Sequence, residues 1–424
     1  MKEILFPYGK TKLTYTFGEE LAGILTTELE DYVPQGTPNE LVEKALQNPI
    51  GTPPLKELAR GKKNIVIIAS DHTRPVPSKV ILPPMLREIR AVSPDANITI
   101  LIATGCHRET TKQELVDKFG PEIVEKEHIY IHDCDEREKL RNIGTLPSGG
   151  ECEINTIALD ADLLLAEGFI EPHFFAGFSG GRKSVLPGIA GRTTVLSNHC
   201  SEFIDSPYAR TGILERNPIH EDMLWAAKQA KLAFIVNVVL DGEKNAIYAV
   251  AGDPEMAHRE GVAFLNSLCG AKAVPADVVI TTNGGYPLDQ NVYQAVKGMT
   301  AAEATVKEGG VIVMLAKSND GIGGDHFYHQ LADEPDIEKT MALFRSRGRK
   351  ETVPDQWQTQ ILLRILQHAK VVYVSEMDDD AVRKMHMTPA RSIKQALQIA
   401  KQLLGKQDIT VTAIPDGVSV IVRK

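Results

Sequence analysis

Strand-length runs of apolar and β-branched residues recur along this chain, and stretches with helical spacing separate them. The runs are "NIVIIAS" (64–70), "NITILIA" (97–103), "HIYIHD" (128–133), "DLLLAEG" (162–168), "FIVNVVL" (234–240), "DVVITT" (277–282), "GVIVMLA" (310–316) and "KVVYVSE" (370–376). Their alternation with helices places the chain in the α/β class. At 424 residues it exceeds what one ordinary core holds, so two α/β domains are expected, with the functional site in the cleft between them. A linker is expected at 263–275, where "REGVAFLNSLCGAKAVPAD" leads from a helix through Gly and Pro into a fresh strand. The second domain then covers 276–395, with 396–405 as a second linker. The N-terminal "EILFPYGKTKLTYTF" reads as a two-stranded ribbon turning at Gly9. Near the other end, "RSIKQALQIAKQLLG" reads as an amphipathic helix with a glycine stop. The following "DITVTAIPDGVSVIVRK" reads as a hairpin around Pro415, Asp416 and Gly417. Returned to the first domain, that hairpin gives a unit of 1–262 plus 406–424, completed by both ends of the chain.

Polar, ionisable segments follow four of the strands: "DHTRP" after 64–70, "TGCHRE" after 97–103, "FIEPHFF" after 162–168 and "NGGYPLDQ" after 277–282. Open α/β sheets bind ligands outside the carboxyl ends of their strands. Loops of this kind at those ends predict one shared cleft, and an enzyme.

The segment 177–184, "GFSGGRKS", nearly matches a phosphate-binding GxxxxGK[ST] loop, but Arg182 stands where the last glycine belongs. The usual wrapping of phosphates by backbone is therefore excluded. Gly180 and Gly181 still permit close approach to a phosphate. Lys183 beside Arg182 forms a cationic pair that lowers a lysine toward nucleophilic use; a solvent-exposed basic turn fits the same residues. His199, in "LSNHCSE", lacks HxxxH or HExxH partners, so an all-protein zinc site is poorly supported. As a metal ligand it needs donors from elsewhere, a cofactor included; otherwise it is structural. His107 precedes a Thr111/Glu114 capping-box pattern, and a helix start disfavours imidazolium. His173 follows a proline in a loop. Both histidines suit general acid/base work in a shared cleft, or are plain surface histidines. Asp71 and Arg74 sit in a turn stiffened by Pro75 and Pro77; Arg74 suits a phosphate or carboxylate, and a local Asp71–Arg74 ion pair competes. "PLDQNVYQAVKGM" starts a helix with Asp289 as its expected cap. Tyr293, Gln294 and Lys297 then share a face able to receive a carboxylate, unless that face is simply solvated.

Hydrophobic content of 43% and charged content of 24% describe a soluble globular protein. A net charge of −9 without basic clusters argues against nucleic acid. The N-terminus lacks the apolar core of a signal peptide, and no apolar run is long enough to span a bilayer. Five scattered cysteines, Cys106, Cys134, Cys152, Cys200 and Cys269, point to a reducing compartment. Cys106 and Cys200, each beside a histidine, read as small buried hydrophobes. A cytoplasmic protein is expected.

The motifs "DHTRP", "TGCHR", "EPHFFAGFSGGRKSVLPGIAG", "NHC" and "YQAVKG" occur in an order and spacing that resemble the lactate racemase family over essentially the whole chain. That resemblance implies a nickel-pincer nucleotide, a nickel(II) pyridinium-3,5-bisthiocarboxylic acid mononucleotide, attached covalently through Lys183. His199 would be the one protein ligand to nickel. Asp71, His72, Thr73, Arg74, Pro187 and Gly191 would cradle the mononucleotide. His107 and His173 would be the acid/base pair, Gln294 and Lys297 would hold the substrate carboxylate, and Tyr293 and Trp357 would line the pocket. Implied partners are a small 2-hydroxy acid and the proteins that build the cofactor, with no nucleic acid and no membrane. Lactate itself is not fixed by the motifs; the pocket around Trp357, 284–289 and 320–330 would decide it, and His326 and His329 lie in the last of these.

Removing the α-proton of a 2-hydroxy acid gives an enediolate beside an existing negative charge. Oxidation by hydride transfer to the pyridinium, then return to either face, avoids that species. Racemisation by hydride transfer is the expected activity. The alternatives are a cofactor-independent two-base racemase and a non-enzymatic nucleotide- or metal-binding protein.

Overall fold

The structure is a computed structural model that describes residues 1–423. Two six-stranded sheets organise it. The first has the order Ala246–Gly252, Leu232–Leu240, Leu163–Phe169, Asn64–Ser70, Asn97–Ala103, His128–Ile131. All neighbours run parallel except Ala246–Gly252, which is antiparallel to Leu232–Leu240. The second has the order Thr388–Ala390, Lys370–Val374, Val306–Leu315, Ala276–Thr282, Val411–Ile414, Leu21–Ile24, and is wholly parallel. Central strands such as Leu163–Phe169 and Ala276–Thr282 are buried along their full length. That is why they read as unbroken apolar runs rather than as alternating ones.

One apolar cluster joins the facing sides of the two sheets, from Val66, Leu101 and Leu164 in the first to Val279, Ile312 and Val371 in the second. Separate clusters fill the outer faces. On the second sheet that outer cover includes the helix Ile393–Leu404, stopped by left-handed Gly405, and the ribbon Lys2–Tyr8/Thr11–Phe17 turning at Gly9.

The C-terminal hairpin expected from the sequence does not form. Val411–Ile414 runs parallel between Ala276–Thr282 and Leu21–Ile24 in the second sheet, and Ile421–Arg423 pairs with Gly270–Lys272. The Pro-Asp-Gly segment separates two strands that go to different partners. Both chain ends therefore complete the second sheet, not the first. The physical reason is burial: Val411, Ala413 and Ile414 are fully buried, and a free two-stranded ribbon leaves one face in water.

In the first sheet the strand order reverses between Asn64–Ser70 and Leu163–Phe169; in the second it reverses between Ala276–Thr282 and Val411–Ile414. At such reversals neighbouring loops diverge and leave a crevice at the carboxyl ends of the strands. The segments 71–74 and 171–173 leave the first reversal, and 283–290 leaves the second.

Candidate active site

After the strand Leu163–Phe169 the chain makes a tiny hairpin, pairing Pro172 with Phe178 and His173 with Gly177. At its tip sit Phe174 and Phe175, both buried, with ring centroids 4.7 Å apart. These two rings organise the site. The His173 imidazole lies 5.0 Å from Phe174 and 4.5 Å from Phe175. The His199 ring is 5.0 Å from Phe175 and 5.2 Å from Trp357. Lys183 Nζ is 5.8 Å from the Phe175 ring, and Lys297 Nζ is 5.9 Å from that of Phe174. Four polar side chains predicted from three motifs thus meet around one aromatic pair.

The glycines of this segment serve packing. A Cβ on Gly177 would sit 2.2 Å from the Ile213 carbonyl, and one on Gly180 2.7 Å from Asn237 Oδ1. One on Gly181 would meet the His258 ring at 2.9 Å. The expectation that Gly180 and Gly181 open the backbone to a phosphate gives way to this tight internal fit. Arg182 is likewise no exposed basic turn: it is 1% exposed. Its guanidinium donates to the carbonyls of Ala176 (2.9 Å) and Gly180 (3.2 Å) and lies 3.1 Å from His258 Nε2. Arg182 staples the loop that carries His173 to the body of the domain.

Lys183 follows on a 3-10 turn, Gly181–Ser184. Burial, then the charges of Arg182, Arg74 and Lys297, hold its amine well below the usual lysine range, against a smaller pull from Glu171. Lys297 falls to about 8, through burial and Arg74. His199, which ends the helix Arg192–Asn198 and is 5% exposed, falls to about 3 through burial and Lys183. Its Nδ1 is buried with no hydrogen-bond partner among the described residues. His173 is held well below the histidine range by burial, Lys183, Lys297 and Arg74. Its Nδ1 accepts the Ala176 N–H at 3.2 Å, which puts the proton of the neutral ring on Nε2.

His107 lies at the mouth, half of it in water. Its Nδ1 is 2.7 Å from Oδ2 of Asp71, a carboxylate 1% exposed. Burial raises Asp71, but the His107 bond and charge, Arg74 and Thr73 outweigh it and hold the group at about 2. The ionised oxygen accepts from Nδ1–H, so Nε2 of His107 is the free, basic nitrogen. The Thr111/Glu114 capping box forms as expected, yet the nearest charge to His107 is Asp71. Arg74 forms no ion pair with Asp71; its Nη1 donates to Thr73 Oγ1 at 3.0 Å.

The remaining expected residues divide. His72 is bonded through Nδ1 to Thr110 Oγ1 at 3.0 Å. The Leu186–Pro187 bond is cis, and Gly188 O accepts from Gly105 N at 2.9 Å, tying this turn to the His107 loop. Gly191 N–H donates to Glu153 O at 2.9 Å. Tyr293, Gln294 and Lys297 share the start of the helix Val292–Glu303. Its cap is Asn291, whose Oδ1 accepts from Gln294 N at 3.0 Å, not Asp289. Asp289 is buried instead, accepting from Gly9 N (2.6 Å) and Lys317 N (3.2 Å). The Tyr293 phenol, beside Asp355 and Trp357, is raised first by burial and then by the Asp355 charge. His326 and His329 are exposed, outside the cluster. Two further carboxyls join the site without being expected from the sequence. Glu171 is raised by burial and set against Lys297 and Arg74; Asp355 is a non-glycine residue with φ +63°. "EPHFF" holds the signal for the first; nothing local marks the second.

Two α/β sheets with ionisable loops gathered at their strand reversals define an enzyme that handles a small anionic molecule in a cleft. The family models for the lactate racemase N-terminal and C-terminal domains match residues 8–212 and 271–422. Over 426 aligned residues the chain is 54% identical to the lactate racemase of Thermoanaerobacterium thermosaccharolyticum, and over 425 it is 53% identical to that of Lactiplantibacillus plantarum, covering all of both chains in each case. The structure of the lactate racemase apoprotein from T. thermosaccharolyticum superposes with a TM-score of 0.97 over the full length of both chains. A Thermotoga maritima protein at 18% identity (TM-score 0.66; 92% of this chain, 100% of that one) shares the fold. The chain belongs to the lactate racemase family and is an isomerase. Among the described residues no helix is long and apolar enough to cross a membrane.

Proposed function

We propose that this protein interconverts the D and L forms of lactate, or of a closely related 2-hydroxy acid, in the cleft above Phe174 and Phe175. The observation that carries the reading is the gathering of His173, Lys183, His199 and Lys297 on that one aromatic pair.

A nickel-pincer nucleotide fits these residues. A neutral imidazole with a buried, unpartnered nitrogen suits a metal ligand, and His199 has one. An uncharged amine is the form that bonds to an acyl-type carbon, and burial with three neighbouring cations favours that form of Lys183. Lys183 would tether the group, His199 would hold nickel, and Arg74 at the mouth, with the 71–74 turn, would face its phosphate. When bound, the group supplies a reversible acceptor for the C2 hydride of the substrate.

The chain's own residues do the rest. Lys297, protonated below about pH 8, pairs with the substrate carboxylate, and Gln294 beside it adds an amide. His107 Nε2 accepts the hydroxyl proton, and Asp71 stabilises the imidazolium that results. His173 presents Nε2–H to the substrate oxygen as a hydrogen-bond donor, and the His107 imidazolium returns its proton when the hydroxyl is restored. To act as base for the mirror-image substrate, His173 must give up its bond to Ala176 and change tautomer. Phe174, Phe175 and Trp357 exclude water, which strengthens each of these contacts.

Chiral separation of products tests the reading. Protein made together with the cofactor-building enzymes should convert either enantiomer of lactate to the racemate and carry a covalent mass adduct that Lys183→Ala lacks. Full racemisation by Lys183→Ala would overturn it.

A further inference from the structure

We propose that Cys106 and Cys134 form a redox-sensitive thiol pair whose oxidation to a disulfide reversibly disables His107. The second half of this proposal rests on reading His107 as the proton-moving group; the first half does not.

The topology brings the two cysteines together. Strands Asn97–Ala103 and His128–Ile131 are parallel neighbours, with Ile102 opposite Ile131. Beyond that pair the chains stay joined: His132 N donates to Ile102 O at 3.1 Å, and Thr104 Oγ1 donates to His132 O. Cys106 and Cys134 leave the same end of those strands, and each thiol is the largest influence on the other. Each cysteine lies two residues beyond the bond between Thr104 and His132, within reach of the Cα separation of about 4.4 to 6.8 Å that a disulfide spans.

The two thiols differ. Cys106 is half-buried beside the cleft, and Cys134 is buried. Cys134, and then the Arg192 guanidinium, lower Cys106 from the ordinary thiol value against its burial, while Cys106 and burial raise Cys134. The Arg192 charge thus favours Cys106 as the sulfur that gives up its proton, with buried Cys134 as its partner. The other free cysteines, Cys152, Cys200 and Cys269, are buried and raised by that burial. Ligand atoms of Asp133, Cys134 and Asp135 lie within 4.8 Å of one another. Arg192, however, already binds both oxygens of Asp135, at 2.8 and 2.6 Å, so a cation site there is opposed.

A hydroperoxide is the oxidant. The Cys106 thiolate attacks its terminal oxygen; an S–O bond forms, the O–O bond breaks, and the alkoxide or hydroxide leaves. Cys134 then displaces the sulfenic hydroxyl, forming S–S and releasing water with the Cys134 proton. The two sulfurs lose two electrons, and the hydroperoxide gains them. Closure shortens the sulfur separation to about 2.05 Å. Gly105 is pinned by its N–H to Gly188 O at 2.9 Å, so the shift falls on Cys106 and on His107 next to it. The 2.7 Å bond from His107 to Asp71 does not survive a shift of that kind; a displacement of about 1 Å at a reacting group costs about 100-fold in rate.

The test uses cofactor-loaded protein, hydrogen peroxide as oxidant, and intact mass with peptide mapping after alkylation. Wild type should lose two hydrogens in mass, show a Cys106–Cys134 crosslink, drop about 100-fold in racemisation, and recover with dithiothreitol. Cys134→Ser should racemise normally and keep its activity through the same treatment. Should that variant not fold, Cys106→Ala replaces it, and the wild-type crosslink map stands regardless. Two alkylatable thiols after treatment, or equal inactivation of Cys134→Ser, would overturn the pair. A crosslinked enzyme of full activity would overturn the switch, provided His107→Asn is inactive. An active His107→Asn would instead unseat the acid/base reading and leave the crosslink untouched.

Discussion

His107 and His173 are the same residue type on loops that follow two strands of the first sheet, and their surroundings put the ring proton on opposite nitrogens. His107 is 44% exposed and leans on a buried carboxylate 2.7 Å away. His173 has no carboxylate bond; burial, Lys183, Lys297 and Arg74 press it toward neutrality, and a backbone N–H occupies its Nδ1. One ring has its basic nitrogen free and a counter-charge ready for the proton it takes. The other has its proton facing the cleft and cations opposing a second. On the proposed reading, environment and not residue identity divides the proton acceptor from the hydrogen-bond donor. The same contrast applies to Lys183: burial and neighbouring cations lower its amine, whereas a place beside Asp71 would favour the charge.

The contrast can be broken in steps of decreasing size. Lys183→Ala should abolish both the covalent adduct in intact mass and all racemisation above background. Asp71→Asn, at the mouth, should lower kcat by about 100- to 10,000-fold in steady-state assays while leaving the adduct in place, because His107 loses the partner that orients it and steadies its charge. Lys297→Met should cost about 100-fold in kcat/KM. In wild type, Lys297 titrates near 8, so kcat/KM should fall as pH rises through that value, and the variant's profile should lack this limb.

The smallest effect is on stability. His199 and His220 are neutral when folded and titrate at about 3, against 6.5 unfolded. The unfolded chain therefore binds protons the folded one refuses, and stability is lost as pH falls from 6.5 toward 3. At pH 5 each contributes a loss on the order of 2 kcal/mol, visible as a lower melting temperature of the apoprotein than at pH 7. Asp71, depressed to about 2, adds to acid loss only below its unfolded value of 3.8.

Much of the fold and of the site is legible in the sequence itself. Unbroken apolar runs mark central strands to within a few residues; Asn64–Ser70 and Asn97–Ala103 coincide with their runs. Loops at the ends of such strands locate the cleft, because sheet topology forces them together. What the sequence hides depends on contacts between distant segments. The 411–414 strand looks like half a hairpin because nothing local says it slots between 276–282 and 21–24. Gly180 and Gly181 look like phosphate contacts because Asn237 and His258, the groups that fill the missing Cβ space, come from elsewhere in the domain. Arg182 reads as a surface cation since burial against three carbonyls leaves no mark in the sequence. The Asp71–His107 pair joins two motifs that lie 36 positions apart, and neither motif alone points to the other.

The central proposal is that hydrogen at C2 moves as hydride while the imidazoles handle only the hydroxyl proton. The most direct measurement is racemisation of lactate deuterated at C2 by cofactor-loaded protein in ordinary water, followed by mass spectrometry of both enantiomers. Both should keep their deuterium through many turnovers. Loss of the label in step with racemisation would contradict hydride transfer and leave proton abstraction by His107 and His173 in its place.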